Sequence, residues 1–349
     1  MDNTEKKHQR RIRYKGTHPK SFEAKYKELE PEKYKETIAK VIEKGMTPAG
    51  MHRPICVTEI LDFLDIKPGQ IGMDATLGYG GHSEELLKKL NGKGHLYAVD
   101  QDPIELPKTK ERLEKLGYNN QILTINHLNF SEIDLIASVS GQFDFVIADL
   151  GVSSMQIDNP ERGFSFKSGG PLDLRMNPKV GISASMRLKE MTKDEIEGML
   201  IENADEPYAK EIATEIVSHL HKGKDIALTS DLYQVICDAL KFIPYRDRDE
   251  EIKKSSQRTF QAIRIDINHE YEVLYEFLEK LPTVLKPNGK VAILTFHSGE
   301  DRLVKKSFQH YFREGIYSAV SDGPIRPSMD EQSSNSRARS AKLRWAIKS

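Results

Sequence analysis

From about residue 50 onward, short apolar runs alternate with longer amphipathic ones. Residues 54–64 carry apolar side chains at helical spacing, and Lys67-Pro68-Gly69 ends that segment in a turn. Residues 71–75 read as a short strand that hands over to Gly78-Tyr79-Gly80-Gly81. A helix is expected over 83–90, with Glu84 and Glu85 in its first turn, where the helix dipole favours acids. Residues 95–99 predict a strand ending at Asp100, 103–116 a helix, 121–125 a strand, and 143–148 a strongly apolar strand ending at Asp149. This alternation predicts an α/β fold with a parallel, doubly wound sheet.

The pattern breaks after Asp149. A polar, glycine-rich loop runs to about residue 178, and helical segments follow with no strand between them. Thr192 and Glu195 form a capping box before one helix, 207–221 predict a second, and Ser230 is expected to cap a third. A long helix around 260–281, the turn Lys286-Pro287-Asn288-Gly289, a strand over 290–295 and a last strand over 343–347 then restore the sheet pattern. The expected organisation is a basic N-terminal extension (1–50), the first part of the sheet domain (51–178), a helical insertion (179–255) and the second part of the sheet domain (256–349).

Composition narrows the class. A chain of 349 residues with 38% hydrophobic and 30% charged content fits a soluble globular protein of about two domains. No apolar run approaches the ~20 residues that span a bilayer, and the N-terminal basic residues have no apolar stretch behind them to make a secretory signal. The only cysteines, Cys56 and Cys237, are far apart, which argues against a disulfide framework or cysteine-based metal site and for a reducing cytoplasm; no metal is expected. Net charge is −1, but positive charge gathers at 6–44, interleaved with Tyr14, Phe22, Tyr26 and Tyr34, and again at 326–348. Each patch suits either a phosphate grip or a solvated face.

The stretch Asp74–Ser83 stands where a strand becomes a helix. Glycine there lets a ligand approach the backbone, and the helix N-terminus offers free N–H groups. Asp100, at the tip of the next strand, is placed to accept hydrogen bonds from ribose hydroxyls. Loop and acid suit an adenosine-type cofactor, and Gly78-x-Gly80-x-x-Ser83 alone fits a dinucleotide dehydrogenase equally well. Asp149 tips the balance, because a third acid beside Asp74 and Asp100 suits a cationic sulfonium better than an anionic pyrophosphate. The plainer alternative makes Asp74 a turn cap and Asp149 a partner for loop backbone.

Further motifs follow in order: HRP at 52–54, DATLGYGGHS at 74–83, ADLGVSSMQID at 148–158, ERGFSF at 161–166, GPLDLRM at 170–176, RTFQAIRI at 258–265, FHSGEDR at 296–302 and SRARSAKLR at 336–344. Together they resemble the bacterial ribosomal RNA small-subunit methyltransferase H family, also called MraW, from about residue 50 to the end. The resemblance implies a class I S-adenosylmethionine-dependent methyltransferase domain, Rossmann-like, with a helical insertion. It implies methylation of the N(4) amine of one cytidine in the decoding region of small-subunit ribosomal RNA. The family's cofactor positions fall on Gly80, Gly81, His82, Asp100, Phe130, Asp149 and Gln156. The chain departs from the family pattern at Tyr79 (usually Arg), at Gly299 (usually Leu), at Ala204-Asp205-Glu206 (usually Gly-Glu-Glu) and in its N-terminal extension.

On this reading Asp149 is the candidate acceptor for an amine hydrogen of the cytosine, with a backbone carbonyl at 150–152 as the alternative. His297 and Ser298 lie just beyond another strand and could meet the base. Phe164 and Phe166 either stack on a flipped base or anchor their loop in the core. Arg258 and Arg264 are candidate phosphate ligands, and Arg302 is expected to pair with Glu300 or Asp301. Two rivals remain: a DNA amino-methyltransferase, against which the absence of a Pro-Pro-aromatic signature after Asp149 speaks, and a paralogue that binds ribosomal RNA without modifying it. The partner implied is small-subunit ribosomal RNA, with no membrane; whether the chain forms a homodimer is left open.

Overall fold

The computed structural model describes residues 54–167 and 169–349. The basic extension (1–50), its patch at 6–44 and the start of the HRP motif lie outside the described residues. Strand β1 (Ile71–Asp74) pairs in parallel with β2 (His95–Val99), and β3 (Leu123–Asn126) adds beyond β2. On the other side of β1 lies β4 (Phe143–Asp149), followed by β5 (Leu285–Thr295), both parallel to it. Two more strands, β6 (Tyr317–Val320) and β7 (Lys342–Lys348), complete the order β3-β2-β1-β4-β5-β7-β6. The sheet is mixed rather than wholly parallel, since β7 runs antiparallel to both its neighbours. The order reverses between β1 and β4, so the carboxyl ends of β1, β2 and β4 bring Asp74, Asp100 and Asp149 to one edge, at the crevice where such sheets bind ligands.

Central strands of this kind are covered on both faces, which is why they read as continuous apolar runs. Successive residues of β4 divide between two cores: Val146 and Ala148 join Met73, Phe277 and Ile293, whereas Phe145 and Ile147 join Ile60, Leu86 and Leu294. Helices α1 (Val57–Leu64), α2 (Gly81–Leu90) and α3 (Glu105–Lys115) contribute to the second core, and α4 (Ile133–Ser140) to the first. A short helix α5 (Ser154–Asp158) follows β4. Then come α6 (Ala184–Glu190), α7 (Lys193–Ala204), α8 (Ala209–His221), α9 (Thr229–Ala239) and α10 (Tyr245–Asn268), with no strand among them. They share a third core, built on Leu188, Ile212, Leu232 and Ile263. Helices α11 (Glu270–Val284) and α12 (Ser298–Arg313) return to the sheet, and α13 (Met329–Ser334) precedes β7. Among the described residues no helix is long and apolar enough to cross a membrane.

Three local expectations are corrected. Ser230 does not cap α9; Leu228 occupies that position, and the Asp231 carboxylate accepts from the N–H groups of Leu228 and Ala227. The long helix expected over 260–281 is two helices, and α10 begins at Tyr245. Its buried face there includes Ser255, Ser256 and Thr259, small polar residues that leave no apolar stripe to read. The break falls at His269, whose φ of 50° is left-handed and stops the helix. The turn at 286–289 is absorbed into β5 as an irregularity, with Asn288 at φ 62° and a shift of register opposite Phe143 and Phe145.

One asparagine ties the helical segment's two connections together. The N–H of Met176, on the incoming loop, donates to Asn268 Oδ1 at 2.7 Å, and Asn268 Nδ2 donates to Leu174 O at 2.8 Å. Asn268 is the last residue of α10.

Candidate cofactor and catalytic site

The glycine loop is held from below by α3. Thr109 Oγ1 donates to Gly78 O at 2.6 Å, and Arg112 donates to Tyr79 O through Nη2 (2.7 Å) and Nε (3.1 Å) while its guanidinium lies 4.3 Å from the Tyr79 ring centroid. Gly80 adopts φ 80°, and a Cβ there would sit 3.0 Å from the Thr109 methyl and 3.1 Å from Arg112 and Leu113. Only glycine fits that approach and that dihedral together. Gly81 opens α2, so Gly81 and His82 lie in its first turn, where backbone N–H groups lack partners within the helix. Asp74 is 1% exposed and braces the loop, accepting from Ser83 Oγ at 2.6 Å and from Thr76 N at 3.0 Å. Burial pushes its carboxyl above the usual range against those two hydrogen bonds.

Asp100 lies just past β2. Its Oδ2 accepts from Gly78 N and its Oδ1 from Asp102 N, both at 2.8 Å. Burial pushes the carboxyl up to about 6, and the two backbone N–H groups pull the other way. An ionised carboxylate has about four lone-pair sites, so two backbone donors leave capacity for ribose hydroxyls.

At the tip of β4 the Asp149 N–H donates to Thr76 Oγ1 at 2.6 Å. Asp149 Oδ2 lies 3.6 Å from His82 Nε2, too far for a hydrogen bond. His82 Nε2 and Asp149 Oδ1 are both buried with no hydrogen-bond partner among the described residues. Buried polar atoms are nearly always paired, and orphans of this kind mark a place where a ligand belongs. Nearby, Cys56 is fully buried, and burial with the charges of Glu59, Glu331 and Asp149 pushes its thiol up to about 12, which leaves it unreactive.

Sequence reasoning missed the network that holds Gln156. The buried Asp102 carboxylate accepts from Gln156 Nε2 and from Arg162 Nη1 through the same oxygen, both at 2.7 Å. Arg162 Nη2 donates onward to the carbonyls of Arg175 and Met176. Asp102, two residues past Asp100, and the Arg of the ERGFSF motif were the available signals. Phe130 meets Phe277 edge-on, with centroids 5.1 Å apart.

The remaining candidates divide. His297 caps α12 and is mostly buried, with Nε2 3.2 Å from Glu300 Oε1 but misaligned for a hydrogen bond. Glu300 is buried, which pushes its carboxyl up, yet His297 and Arg264 prevail and hold it below the usual range. Ser298, beside His297, is exposed. Arg264 is committed to Glu270 through two hydrogen bonds of 2.8 and 2.9 Å. Arg258 is committed to the buried Glu206 at 2.7 Å. Neither arginine is placed as a free phosphate ligand. Phe164 is buried in the helical core, and Phe166 stacks on Tyr233 with centroids 5.6 Å apart, so both lie where the anchoring alternative puts them. Arg302 lies 3.9 Å from Asp205, while Asp301 is taken by Arg344 and Lys342. At Gly299 a Cβ would stand 1.9 Å from Tyr271 Oη, so Tyr271 fills the space a side chain would need.

Fold and site together define a class I S-adenosylmethionine-dependent methyltransferase: a seven-stranded sheet with a glycine loop after β1, an acid after β2 and a free acceptor at the end of β4. The model of the MraW methylase family matches residues 49–349, and the chain belongs to that family. It is 67% identical to ribosomal RNA small subunit methyltransferase H 2 of Alkaliphilus metalliredigens, over 100% of both chains. It is 63% identical to ribosomal RNA small subunit methyltransferase H 1 of Lachnoclostridium phytofermentans, over 99% of this chain and 95% of that one. Ribosomal RNA small subunit methyltransferase H of Buchnera aphidicola is 40% identical over 85% of this chain and 97% of its own.

Proposed function

We propose that this chain transfers the methyl group of S-adenosylmethionine to the N(4) amine of a cytidine in the decoding region of small-subunit ribosomal RNA. The observation that carries the chemistry is the orphaned Asp149 Oδ1 at the switch point of the sheet. The names of the relatives, all ribosomal RNA small subunit methyltransferases, support the substrate.

When bound, S-adenosylmethionine supplies an electrophilic methyl group on a cationic sulfur. Asp100 accepts hydrogen bonds from the ribose, and the N-terminus of α2, with Gly80 as its cap and Gly81 and His82 in its first turn, receives the polar end of the cofactor. Phe130 and Gln156 border the adenosine. Gln156 is fixed for that task by Asp102.

A cytosine amine is a poor nucleophile because its lone pair is delocalised into the ring. Asp149 accepts a hydrogen bond from the amine and draws its lone pair out of conjugation, with Thr76 fixing the Asp149 backbone. As the N–C bond forms and the methyl–sulfur bond breaks, the amine proton becomes acidic and passes to Asp149. The chain must also hold that nitrogen in line at a near-attack distance of about 3–3.5 Å. The base has to leave its stack first, at a cost of a few kcal/mol. His297 is a candidate hydrogen-bond partner for the base, and Phe164 and Phe166 support the loop around it. The substrate assigns the protein to the cytoplasm, where small ribosomal subunits are.

Incubating the chain with labelled cofactor and small subunits, then mapping the modified nucleotide, tests the assignment; label on an N(4)-methylcytidine is expected. Asp149→Ala should keep a thermal melt near wild type and lose about 100-fold or more in turnover, the scale of a positioned acid–base group. Unchanged methylation in that variant would reduce Asp149 to a cap of its loop.

A further inference from the structure

Helix α12 starts at the proposed catalytic edge, with His297 as its N-cap and Ser298 as its first residue. Its buried face is formed by Glu300, Asp301, Val304 and Phe308. At 100° per residue, the opposite face collects Ser298, Arg302, Lys305, Lys306, Gln309 and Arg313 within a stripe about 100° wide. Ser298, Arg302, Lys305, Lys306 and Arg313 are exposed.

No carboxylate of α12 lies on that stripe, because Glu300 and Asp301 both face inward. Glu300 meets His297, and Asp301 is neutralised by Arg344 and Lys342. Among the described residues, the one ion-pair contact of Arg302 is the distant 3.9 Å approach to the exposed Asp205. Lys305, Lys306 and Arg313 have no ion-pair partner among the described residues. On α10, by comparison, Lys254 is paired with Glu250 and Glu251 and Arg258 with Glu206, although Lys253 there is unpaired among the described residues. A chain of net charge −1 has thus kept one helix face purely cationic, and that face leads away from its candidate site.

We propose that this stripe is a phosphate track for the ribosomal RNA strand that carries the target cytidine. The inference rests on the functional reading above and adds the surface that grips the substrate. Side chains recur about once per 5.4 Å turn, and from Arg302 to Arg313 the track runs about 16 Å. Long, mobile lysines bind phosphates as point charges without reading sequence, so the track supplies grip and register while base choice stays with the pocket.

The test is Lys305→Gln/Lys306→Gln/Arg313→Gln in the full chain, compared with wild type and with Lys108→Gln/Lys110→Gln on α3. Binding to small ribosomal subunits is measured across a salt series, together with cofactor affinity, thermal melting and turnover at saturating subunits. The triple variant should bind more weakly, and its slope of log affinity against log salt should be shallower by about 2 to 3, at about 0.7–0.9 for each phosphate no longer neutralised. Its melt, cofactor affinity, saturated turnover and methylated position should match wild type, and the α3 control should not change the slope. Affinity and slope equal to wild type would overturn the track and leave the stripe as a solvated face. Failure of the wild-type chain itself to methylate small subunits would overturn the functional reading instead, whatever the variants do.

Discussion

A carboxylate that binds ribose hydroxyls must be ionised, and in the folded chain Asp100 ionises only at about 6, because burial opposes its charge. Cofactor affinity should therefore be level at neutral pH and fall by about tenfold per unit once the pH drops well below 6. The sign for stability is opposite. The folded pKa lies above the ordinary value of 3.8, so this group favours the fold at low pH, and that contribution is lost as the pH rises through about 6. Asp100→Ala should weaken cofactor binding by about 1.5–3 kcal/mol and remove the pH inflection. It also strips Gly78 N and Asp102 N of their acceptor, so part of the loss should appear as a loosened loop. Calorimetry from pH 5 to 8 with the same affinity and inflection in both proteins would reject the ribose role. Asp100 and Asp149 were legible in the sequence because a strand tip advertises its last residue. The network of Asp102, Gln156 and Arg162 was not, since it joins positions up to 60 residues apart that carry no shared period.

At the scale of elements, α11 and α12 meet where Tyr271 of α11 fills the space beside Gly299, donating to Asn203 O at 3.1 Å. Gly299→Leu should gain less than the roughly 1 kcal/mol of helix propensity expected at an interior glycine, because Gly299 is only the second residue of α12. The Tyr271 ring cannot move aside without leaving Asn203, so an overpacking cost of about 1–3 kcal/mol should outweigh that gain. Adding Tyr271→Ala should recover much of the loss. Denaturant melts of both single variants and the double measure the coupling, and simple additivity would mean that the two positions do not share the space. The strands and the helices that cover them could be read because their apolar residues repeat at 2.0 and 3.6. The start of α10 could not, because serines and a threonine fill its buried face. The break at His269 is not legible in the sequence, because a left-handed residue other than glycine leaves no signal in composition.

For the whole molecule, near-neutral net charge conceals basic segments of the sequence. The family match begins at residue 49, and the Buchnera relative covers 85% of this chain, whereas the Alkaliphilus relative covers all of it. The extension, with Lys6, Lys7, Arg10, Arg11, Arg13 and Lys15, is thus shared by some relatives and absent from the common family region. Deleting residues 1–45 should weaken binding to small subunits and flatten its salt dependence by about 0.7–0.9 for every phosphate the extension had neutralised. It should leave cofactor affinity and the methylated nucleotide unchanged. A shortened chain that modified another nucleotide would give the extension a part in site selection. The described body holds one more consequence, in the way Asn268 fastens the incoming loop to the end of α10. Two crossings pinned far apart would make a frame, which resists turning in every direction. Two crossings pinned at one point share their load: pulling helices α6–α10 away from the sheet strains both connections at once, and the Tyr271 donation to Asn203 O ties α7 to α11 as well.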